Sequence, residues 1–239
     1  MGCVPDVATM GIDEAGRGPI LGPLVMAGVV VRTRAAAALT RGGVLDSKAF
    51  GAGPDAHARR QELAARIVEL ATSVVIRVID VAEIDRRVRL HELNVLEREH
   101  ATVIIEGSAP AKKIIADGAR MFQPLCGRFK HLEARDRAEE HHVAVAAASV
   151  VAKARRDELF QCIARRYEPE FGVIAGGGYE NTATHAFLRA YVKRYRRLPP
   201  EARRSWAGSW AAADYLPRGY DPLADLPASA QVGQLKLVG

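Results

Sequence analysis

The stretch Met10-Gly11-Ile12-Asp13-Glu14-Ala15-Gly16-Arg17-Gly18-Pro19 joins an apolar segment to a glycine-rich turn. The run from residue 7 to residue 13 predicts a short strand, and the glycines and the proline predict the turn that ends it. Consecutive side chains of a strand point to opposite faces. Asp13 and Glu14 can therefore share one site only where the strand breaks into its turn, which is where the sequence places them.

Outward from this stretch, strand-like and helix-like segments alternate along the chain. Continuous β-branched runs predict buried strands, and apolar residues at helical spacing predict helices. The predicted strands are residues 24–31, 74–79, 113–116 and 128–134, and the predicted helices are residues 56–72, 81–88, 93–105, 142–166 and 182–196. Small residues at 143–148 would let the fourth helix approach a sheet closely. The alternation predicts an α/β fold with a helical C-terminal part.

The bulk properties narrow the class of protein. The chain of 239 residues has a formal net charge of +6 and a pI of about 9.4, which favours a polyanionic partner without identifying one. Its three cysteines lie far apart and form neither a disulfide framework nor a zinc pattern, which indicates a reducing compartment. No apolar run approaches the roughly 20 residues of a membrane span. We expect a cytoplasmic protein without membrane contact, and a monomer.

Acidic side chains occur where a divalent-metal site would need them. Mg²⁺ prefers oxygen ligands, and two such ions about 4 Å apart can activate water and stabilise the leaving oxygen in phosphodiester cleavage. Besides Asp13 and Glu14, the candidates are Asp117 at the end of a predicted strand, and Asp136, Glu139 and Glu140 before a long predicted helix. Taken alone, the last two acids would be ordinary solvated residues at a helix start.

Four ordered blocks of sequence resemble the type 2 ribonucleases H (RNase HII). They lie at residues 11–23, 45–48, 116–118 and 146–153, and their matching extends over most of residues 10–206. The resemblance implies an RNase H-like fold with a mixed central β-sheet flanked by helices. It also implies a catalytic domain at 1–172, a helical substrate-binding part at 173–210 and a Pro/Ala-rich tail at 211–239. The implied activity is a metal-dependent endonuclease that hydrolyses the RNA strand of RNA–DNA hybrids and cuts 5′ of ribonucleotides embedded in duplex DNA.

The resemblance implies a site of four carboxylates that binds two Mg²⁺ or Mn²⁺ ions. Asp13, Glu14 and Asp117 match the first three. The family's fourth acid is normally an aspartate ten residues before the serine that is Ser149 here, and that position holds Glu139.

The departure at the fourth acid bears on which branch of the enzymes this chain joins. The sequence AEEHHVAV at residues 138–145 resembles the related RNase HIII branch, whose fourth acid is a glutamate. On spacing we favour Glu139 as the fourth metal ligand, with Asp136 and Glu140 as competitors.

Two segments are expected to recognise the ribonucleotide, which differs from DNA in its 2′-hydroxyl. Glycines let the backbone of Gly16-Arg17-Gly18 approach a sugar closely. The resemblance assigns this tripeptide to the ribose and its phosphate, and Arg17 is the HII residue where the HIII branch has lysine. Tyr179, after a glycine run, resembles the tyrosine that stacks near the RNA–DNA junction in RNase HII, and we count it with the catalytic residues.

Other residues are expected to contact the nucleic-acid backbone. They are Lys48, and Ser149 with Lys153, which are four apart and so share one helix face. A basic run with interleaved aromatics predicts a phosphate track, for which a solvated helix end is the alternative. The run consists of Tyr191, Lys193, Arg194, Tyr195, Arg196, Arg197, Arg203 and Arg204.

The tail sequence Gln234-Leu235-Lys236-Leu237-Val238 resembles short peptides that dock bacterial sliding clamps, except that Val238 replaces an aromatic anchor. Chance resemblance in an apolar tail is the stronger alternative. Two other functions also stay open for the whole chain. One is an RNase HIII-like enzyme that acts only on longer hybrids, and the other is a non-catalytic module that binds hybrids.

Overall fold

A single mixed β-sheet forms the centre of the molecule. The computed structural model describes residues 5–45, 51, 53–206 and 215–217, together with the backbone of residues 234–237. The strands are β1 (Ala8–Ala15), β2 (Leu24–Arg32), β3 (Ser73–Ile79), β4 (Lys113–Asp117), β5 (Leu132–Arg135) and β6 (Gln234–Leu237). Their order across the sheet is β5-β4-β1-β2-β3-β6.

The direction of the strands determines which residues meet. β1, β2 and β3 are antiparallel neighbours, with Ala15 of β1 opposite Val25 of β2. β4 runs parallel to β1, with Ala116 opposite Ile12, and β5 continues parallel to β4. Because β1 and β4 run the same way, the acidic residues at their carboxyl-terminal ends lie at the same end of the sheet.

Helices cover both faces of the sheet, so the predicted α/β fold is confirmed. They are α1 (Thr33–Arg41), α2 (Pro54–Leu70), α3 (Val81–Arg89), α4 (Leu93–Gly107), α5 (Ala119–Phe122), α6 (Val143–Phe171) and α7 (Thr182–Tyr195). No helix in the described ranges combines the length and the apolar character needed to cross a bilayer. Gly172, with a φ of 74°, ends α6. The division of the chain into a catalytic domain and a helical part after residue 172 stays a prediction.

α6 packs closely against one face of the sheet. A Cβ built on Gly11 of β1 would lie 2.1 Å from the backbone carbon of Ala144, so that position accepts only glycine without a shift of the helix. Residues 144–148 of α6 are alanines and one valine, all buried. α4 covers the opposite face through Leu96, Ala101 and Ile104. The small side chains of α6 therefore bring its polar residues close to β1.

The C-terminal part packs on the second half of α6 and then returns to the sheet. Ring centroids of Tyr167 and Phe171 in α6 lie 5.1–5.6 Å from those of Phe187 and Tyr191 in α7. Beyond α7, the amides of residues 204 and 205 each donate a 2.9 Å hydrogen bond to the buried carboxylate of Asp85 in α3. This anchor holds the C-terminal segment beside the turn after β1.

Several elements differ from the sequence prediction, among them β5, which begins at Leu132 and not at residue 128. The sequence does not predict α1, a helix of only nine residues in which Leu39 is the one fully buried side chain. β1 runs to Ala15, so Asp13 and Glu14 lie within the strand and not in the turn. β6 forms within the Pro/Ala-rich tail, where no strand is predicted, and its backbone pairs with the edge of β3.

Candidate metal and nucleic-acid site

Asp13 and Glu14 flank the carboxyl-terminal end of β1 from opposite faces. By the alternation of a strand, Asp13 shares the α6 side with Ala15, and Glu14 shares the α4 side with Ile12. Asp13 is only 6% exposed, and its Oδ1 accepts a 2.8 Å hydrogen bond from the Glu14 amide. The expectation that the strand breaks at these two residues is wrong, because β1 stays paired with β2 as far as Ala15.

Asp117 ends β4 beside this point and is joined there by Glu139. Asp117 Oδ1 accepts a 3.0 Å hydrogen bond from the Ala138 amide, which docks the short 3₁₀ turn Ala138–Glu140 onto the strand end. The Asp117 and Glu139 carboxyls also share a side-chain hydrogen bond. Such a bond places the two carboxyls close together. It also requires that one of them is protonated, because two carboxylates would repel each other.

The two competing acids are engaged elsewhere. Asp136 Oδ1 accepts a 2.7 Å hydrogen bond from the Ala119 amide at the start of α5. Glu140 forms an ion pair with Arg137 at 2.8 Å. Of the three acids before α6, the structure brings Glu139 to Asp117.

Burial and mutual repulsion raise the pKa values of the clustered carboxyls. Burial raises the pKa of Asp13, and burial followed by the charges of Asp13, Glu97 and Asp117 raises the pKa of Glu14 well above its usual value. Burial, and the hydrogen bond shared with Glu139, raise the pKa of Asp117 to about 7. A cluster that resists carrying all of its negative charges is one that a cation would stabilise.

Ser149 and Lys153 approach Asp13 from one face of α6. Lys153 Nζ donates a 2.7 Å hydrogen bond to Ser149 Oγ, and the Ser149 hydroxyl is hydrogen-bonded to the Asp13 carboxylate. The Ser149 hydrogen bond and the Lys153 charge both lower the pKa of Asp13 and so oppose the effect of burial. The predicted helix face thus supports the ionised form of Asp13.

The glycine loop, residues Gly16–Gly18, follows β1 directly. Gly16 has a φ of 90°, in the left-handed region that favours glycine. The Arg17 side chain turns toward α4, where its Nε donates to Glu97 Oε1 at 3.0 Å and its Nη2 to Asn94 Oδ1 at 2.5 Å. Arg17 and Gly18 are exposed. The guanidinium is therefore held by α4, while Gly18, which has no side chain, exposes its backbone to solvent.

A cleft of about 1020 Å³ connects these groups to Tyr179. The glycine loop, Glu14, Lys153 and Arg156 line it together with the glycine run before Tyr179. Tyr179 is 50% exposed, and its ring lies 5.3 Å from the Arg156 guanidinium. Of the four clustered acids, Glu14 therefore borders this opening together with the loop and the tyrosine.

A protein-family model described as Ribonuclease HII matches residues 10–209. The Ribonuclease HII of Methanothermobacter thermautotrophicus is 36% identical, over 83% of this chain and 95% of the relative. This chain belongs to the ribonuclease HII family.

Solved structures agree with this assignment to the RNase HII family. The ribonuclease H2 from Pyrococcus horikoshii OT3 superposes with a TM-score of 0.72 at 28% identity, covering 83% of this chain and 93% of that one. The structure of the PCNA:RNase HII complex from Archaeoglobus fulgidus gives 0.69 at 27% identity, covering 84% and 95%. The predicted RNase H-like fold is thus confirmed. The chain is a ribonuclease H, an endonuclease that hydrolyses the RNA strand of RNA–DNA hybrids.

Some predicted contacts of this RNase HII lie elsewhere than expected. Lys48 falls outside the described residues. Arg203 and Arg204 are 0% and 6% exposed, so the prediction that they extend a solvent-facing phosphate track is wrong. Their burial follows from the anchor on Asp85. The basic residues of the run that do face solvent are Lys193, Arg194, Arg196 and Arg197.

Sequence reasoning misses two charged residues of the RNase HII site, Glu97 and Arg156, and assigns a third, Arg203, to a solvent-facing track. They are 0%, 3% and 0% exposed, respectively. A signal for Glu97 exists in the sequence, since it lies four residues before Ala101 and seven before Ile104, on the buried side of α4. A charge at such a position needs a partner, and Arg17 supplies it.

Proposed function

We propose that this RNase HII also cuts 5′ of single ribonucleotides embedded in duplex DNA. In this proposal Asp13, Glu14, Asp117 and Glu139 bind two divalent cations, Mg²⁺ or Mn²⁺. The observation that carries it is the clustering of these carboxyls at one end of the sheet, where Glu14 lines the cleft that the glycine loop and Tyr179 also border.

The donor set fits a hard divalent cation, because it consists of carboxylate oxygens from separate elements. Glu14 Oε2 is buried and has no hydrogen-bond partner among the described residues. No three acidic, histidine or cysteine side chains in the described ranges yet form a group that would enclose an ion. The fit therefore rests on the chemistry of the donor set and on the buried Glu14 oxygen.

The chemistry supplied by two bound ions is a lowered pKa of water and a stabilised leaving oxygen. The residues of the chain hold the reacting groups in place. Ser149 and Lys153 favour the ionised form of Asp13, and the Ala138 amide donates a hydrogen bond that orients the Asp117 carboxylate. Water would attack the phosphorus 5′ of the ribonucleotide and break its bond to the 3′-oxygen of the preceding nucleotide. The products are a 3′-hydroxyl end and a 5′-phosphate end.

Recognition of the ribonucleotide is assigned to the glycine loop and Tyr179. The exposed backbone of Gly18 is suited to a 2′-hydroxyl, which both donates and accepts hydrogen bonds. Tyr179 is half-exposed at the other side of the cleft, where its ring can stack on the sugar of the following deoxynucleotide. In this arrangement its hydroxyl donates to the 2′-oxygen.

A second candidate function is an RNase HIII-like enzyme that acts only on longer hybrids. Glu139 favours it, because RNase HII normally has an aspartate at that position. A module that binds hybrids without cutting them is the third reading.

One assay separates the three readings. It compares a duplex that contains one ribonucleotide with an RNA–DNA hybrid, in Mg²⁺ and in Mn²⁺. We expect both to be cut, the first on the 5′ side of its ribonucleotide, and Asp117→Asn to abolish both reactions while leaving the melting temperature intact. Cleavage of the hybrid alone would favour the HIII-like reading, and cleavage of neither would favour the binding module.

We also infer that the tail contacts a sliding clamp through residues 234–238, although Val238 lies outside the described residues. Support comes from the peptide resemblance and from the Archaeoglobus fulgidus structure, which is that of a PCNA:RNase HII complex. The backbone of Gln234–Leu237 pairs with β3, so the tail would have to leave this edge to bind. Deletion of residues 230–239 should remove clamp binding in calorimetry, and an unaltered affinity would refute the contact.

A further inference from the structure

Two buried arginines lie behind the glycine loop, close to each other. Arg156 comes from α6 and Arg203 from the segment after α7. Burial, and then the charge of Arg156, lower the pKa of Arg203 to about 9. Burying two neighbouring guanidinium groups opposes folding unless their N–H groups find acceptors. Most of those acceptors are backbone carbonyls at the cleft.

Arg203 binds three carbonyls around the loop. Its Nη2 donates to Gly16 O at 2.5 Å, its Nη1 to Arg17 O at 2.9 Å, and its Nε to Gly22 O at 2.9 Å. In a trans peptide the carbonyl and the amide of the next residue point in opposite directions. By holding the carbonyls of Gly16 and Arg17 inward, Arg203 directs the amides of Arg17 and Gly18 outward.

Arg156 binds the opposite wall of the same cleft. Its Nη2 donates to Gly177 O at 2.7 Å and to Leu21 O at 3.3 Å, and its guanidinium lies under the ring of Tyr179. A Cβ built on Gly16 would lie 2.5 Å from Arg156 Nε, so the guanidinium packs directly on the glycine loop. Arg156 therefore touches both segments that are assigned to the ribonucleotide.

We propose that Arg156 and Arg203, which we call the arginine brace, are positioning residues. They fix the glycine loop relative to Tyr179 and so determine how fast the enzyme cuts at a single ribonucleotide. The inference rests on the proposed roles of the loop and the tyrosine. A guanidinium is a rigid planar fork that holds several carbonyls in fixed directions, whereas a lysine ammonium is a point charge on a flexible stem. Where alignment matters, a displacement of about 1 Å can lower a rate about 100-fold.

The two substrates should respond differently when the brace is loosened. A duplex with one ribonucleotide offers a single 2′-hydroxyl in a single register. Every nucleotide of an RNA strand carries a 2′-hydroxyl, so a displaced loop still meets one on a hybrid. Binding of either duplex depends mainly on phosphate contacts, which the brace does not make.

The experiment measures kcat and KM of Arg156→Lys and Arg203→Lys on both substrates, with the melting temperature of each variant. On the single-ribonucleotide duplex we expect kcat to fall at least about tenfold further than on the hybrid, while KM stays within about threefold. Arg166→Lys is the matched control, because Arg166 is an exposed arginine of the same helix that pairs with Glu201. We expect it to behave as wild type on both substrates.

Several outcomes would overturn the brace. One is an equal fall in kcat on both substrates. Another is a rise in KM with no change in kcat. If Arg203→Lys does not fold, Arg156→Lys decides, and failure of both to fold would assign the pair to stability alone. A wild-type enzyme that leaves the single-ribonucleotide duplex uncut would refute the proposed function and the brace with it. If the wild type cuts this duplex, and the ratio of kcat on the duplex to kcat on the hybrid is unchanged in the variants, the brace alone is refuted.

Discussion

Glu139 and Asp136 differ in what their carboxylates touch, although both precede α6 by a few residues. Glu139 shares a hydrogen bond with Asp117, whereas Asp136 binds the Ala119 amide. We expect Glu139→Gln to lower hybrid cleavage by at least about 100-fold, because it removes a charge that the cations need. Asp136→Asn keeps an amide acceptor at a helix start and should change the rate by less than about threefold. The measurement is kcat/KM across a Mg²⁺ titration, and the reverse order of effects would make Asp136 the fourth ligand.

At His100, burial predicts a pH dependence of stability. Burial, and then the charge of Arg77, lower its pKa from 6.5 to about 4. Between these values the unfolded chain binds more protons than the native protein, so stability is complete above pH 6.5 and is lost as pH falls toward 4. The loss attributable to this group is at most about 1.4 kcal/mol per pH unit.

His100→Asn tests this assignment, because asparagine does not titrate and can still accept the hydrogen bond that Arg77 Nε donates to His100 Nδ1 at 3.2 Å. The free energy of unfolding, measured from denaturant curves at pH 7.5 and pH 5, should fall less in the variant than in wild type. Parallel losses in both proteins would mean that other groups cause the acid sensitivity.

At the scale of elements, Gly11 sets the distance between β1 and α6. A methyl group there would meet the backbone of Ala144, which cannot rotate away as a side chain could. We expect Gly11→Ala to lower the free energy of unfolding by about 3 kcal/mol, and to lower activity because Ser149 and Lys153 move with the helix. Urea denaturation and hybrid cleavage measure the two effects.

Gly107→Ala is the control for this prediction. No atom lies within 4 Å of a Cβ built on Gly107, at the end of α4. The free energy of unfolding of this variant should rise by no more than about 1 kcal/mol, because alanine favours the helix over glycine. Similar losses at both glycines would show that the contact with α6 is not the cause.

At the scale of the whole molecule, the exposed basic residues after α7 predict how binding depends on salt. Lys193 and Arg197 face solvent at the end of the helical part. If each neutralises one phosphate, Lys193→Gln with Arg197→Gln should weaken hybrid binding and lower the slope of log affinity against log salt by about 2. Fluorescence anisotropy at several salt concentrations measures the slope.

The control pair for the salt prediction lies at the other end of the sheet. Arg34 follows β2 and Lys112 precedes β4, opposite the end that carries the acids. Arg34→Gln with Lys112→Gln makes the same change in net charge, and its slope should stay that of wild type. Equal slopes in the two double variants would refute a phosphate track at residues 193–197.

Periodicity in the sequence predicts most elements of this RNase HII, and where it fails the cause is local. The apolar runs of β2 and β3 and the helical spacing of α2 and α4 are strong signals, because each buries a whole face. α1 has only nine residues, little more than two turns, in which a helical period is hard to recognise. β6 is an edge strand whose pairing partner, β3, is more than 150 residues earlier in the chain, and no short window contains that information.

By itself the sequence determined the family and the positions of Asp13, Glu14 and Asp117, because motifs at strand ends are local patterns with a fixed order. Tertiary structure decided which acid before α6 reaches Asp117, that Arg17 turns to Glu97, and that Arg203 lies inside the molecule. The physical reason is that burial and hydrogen-bond partners depend on residues brought together from distant parts of the chain. The sequence of a basic run is the same whether its arginines face water or bind backbone carbonyls inside the molecule. Only the packing of the folded chain distinguishes the two cases.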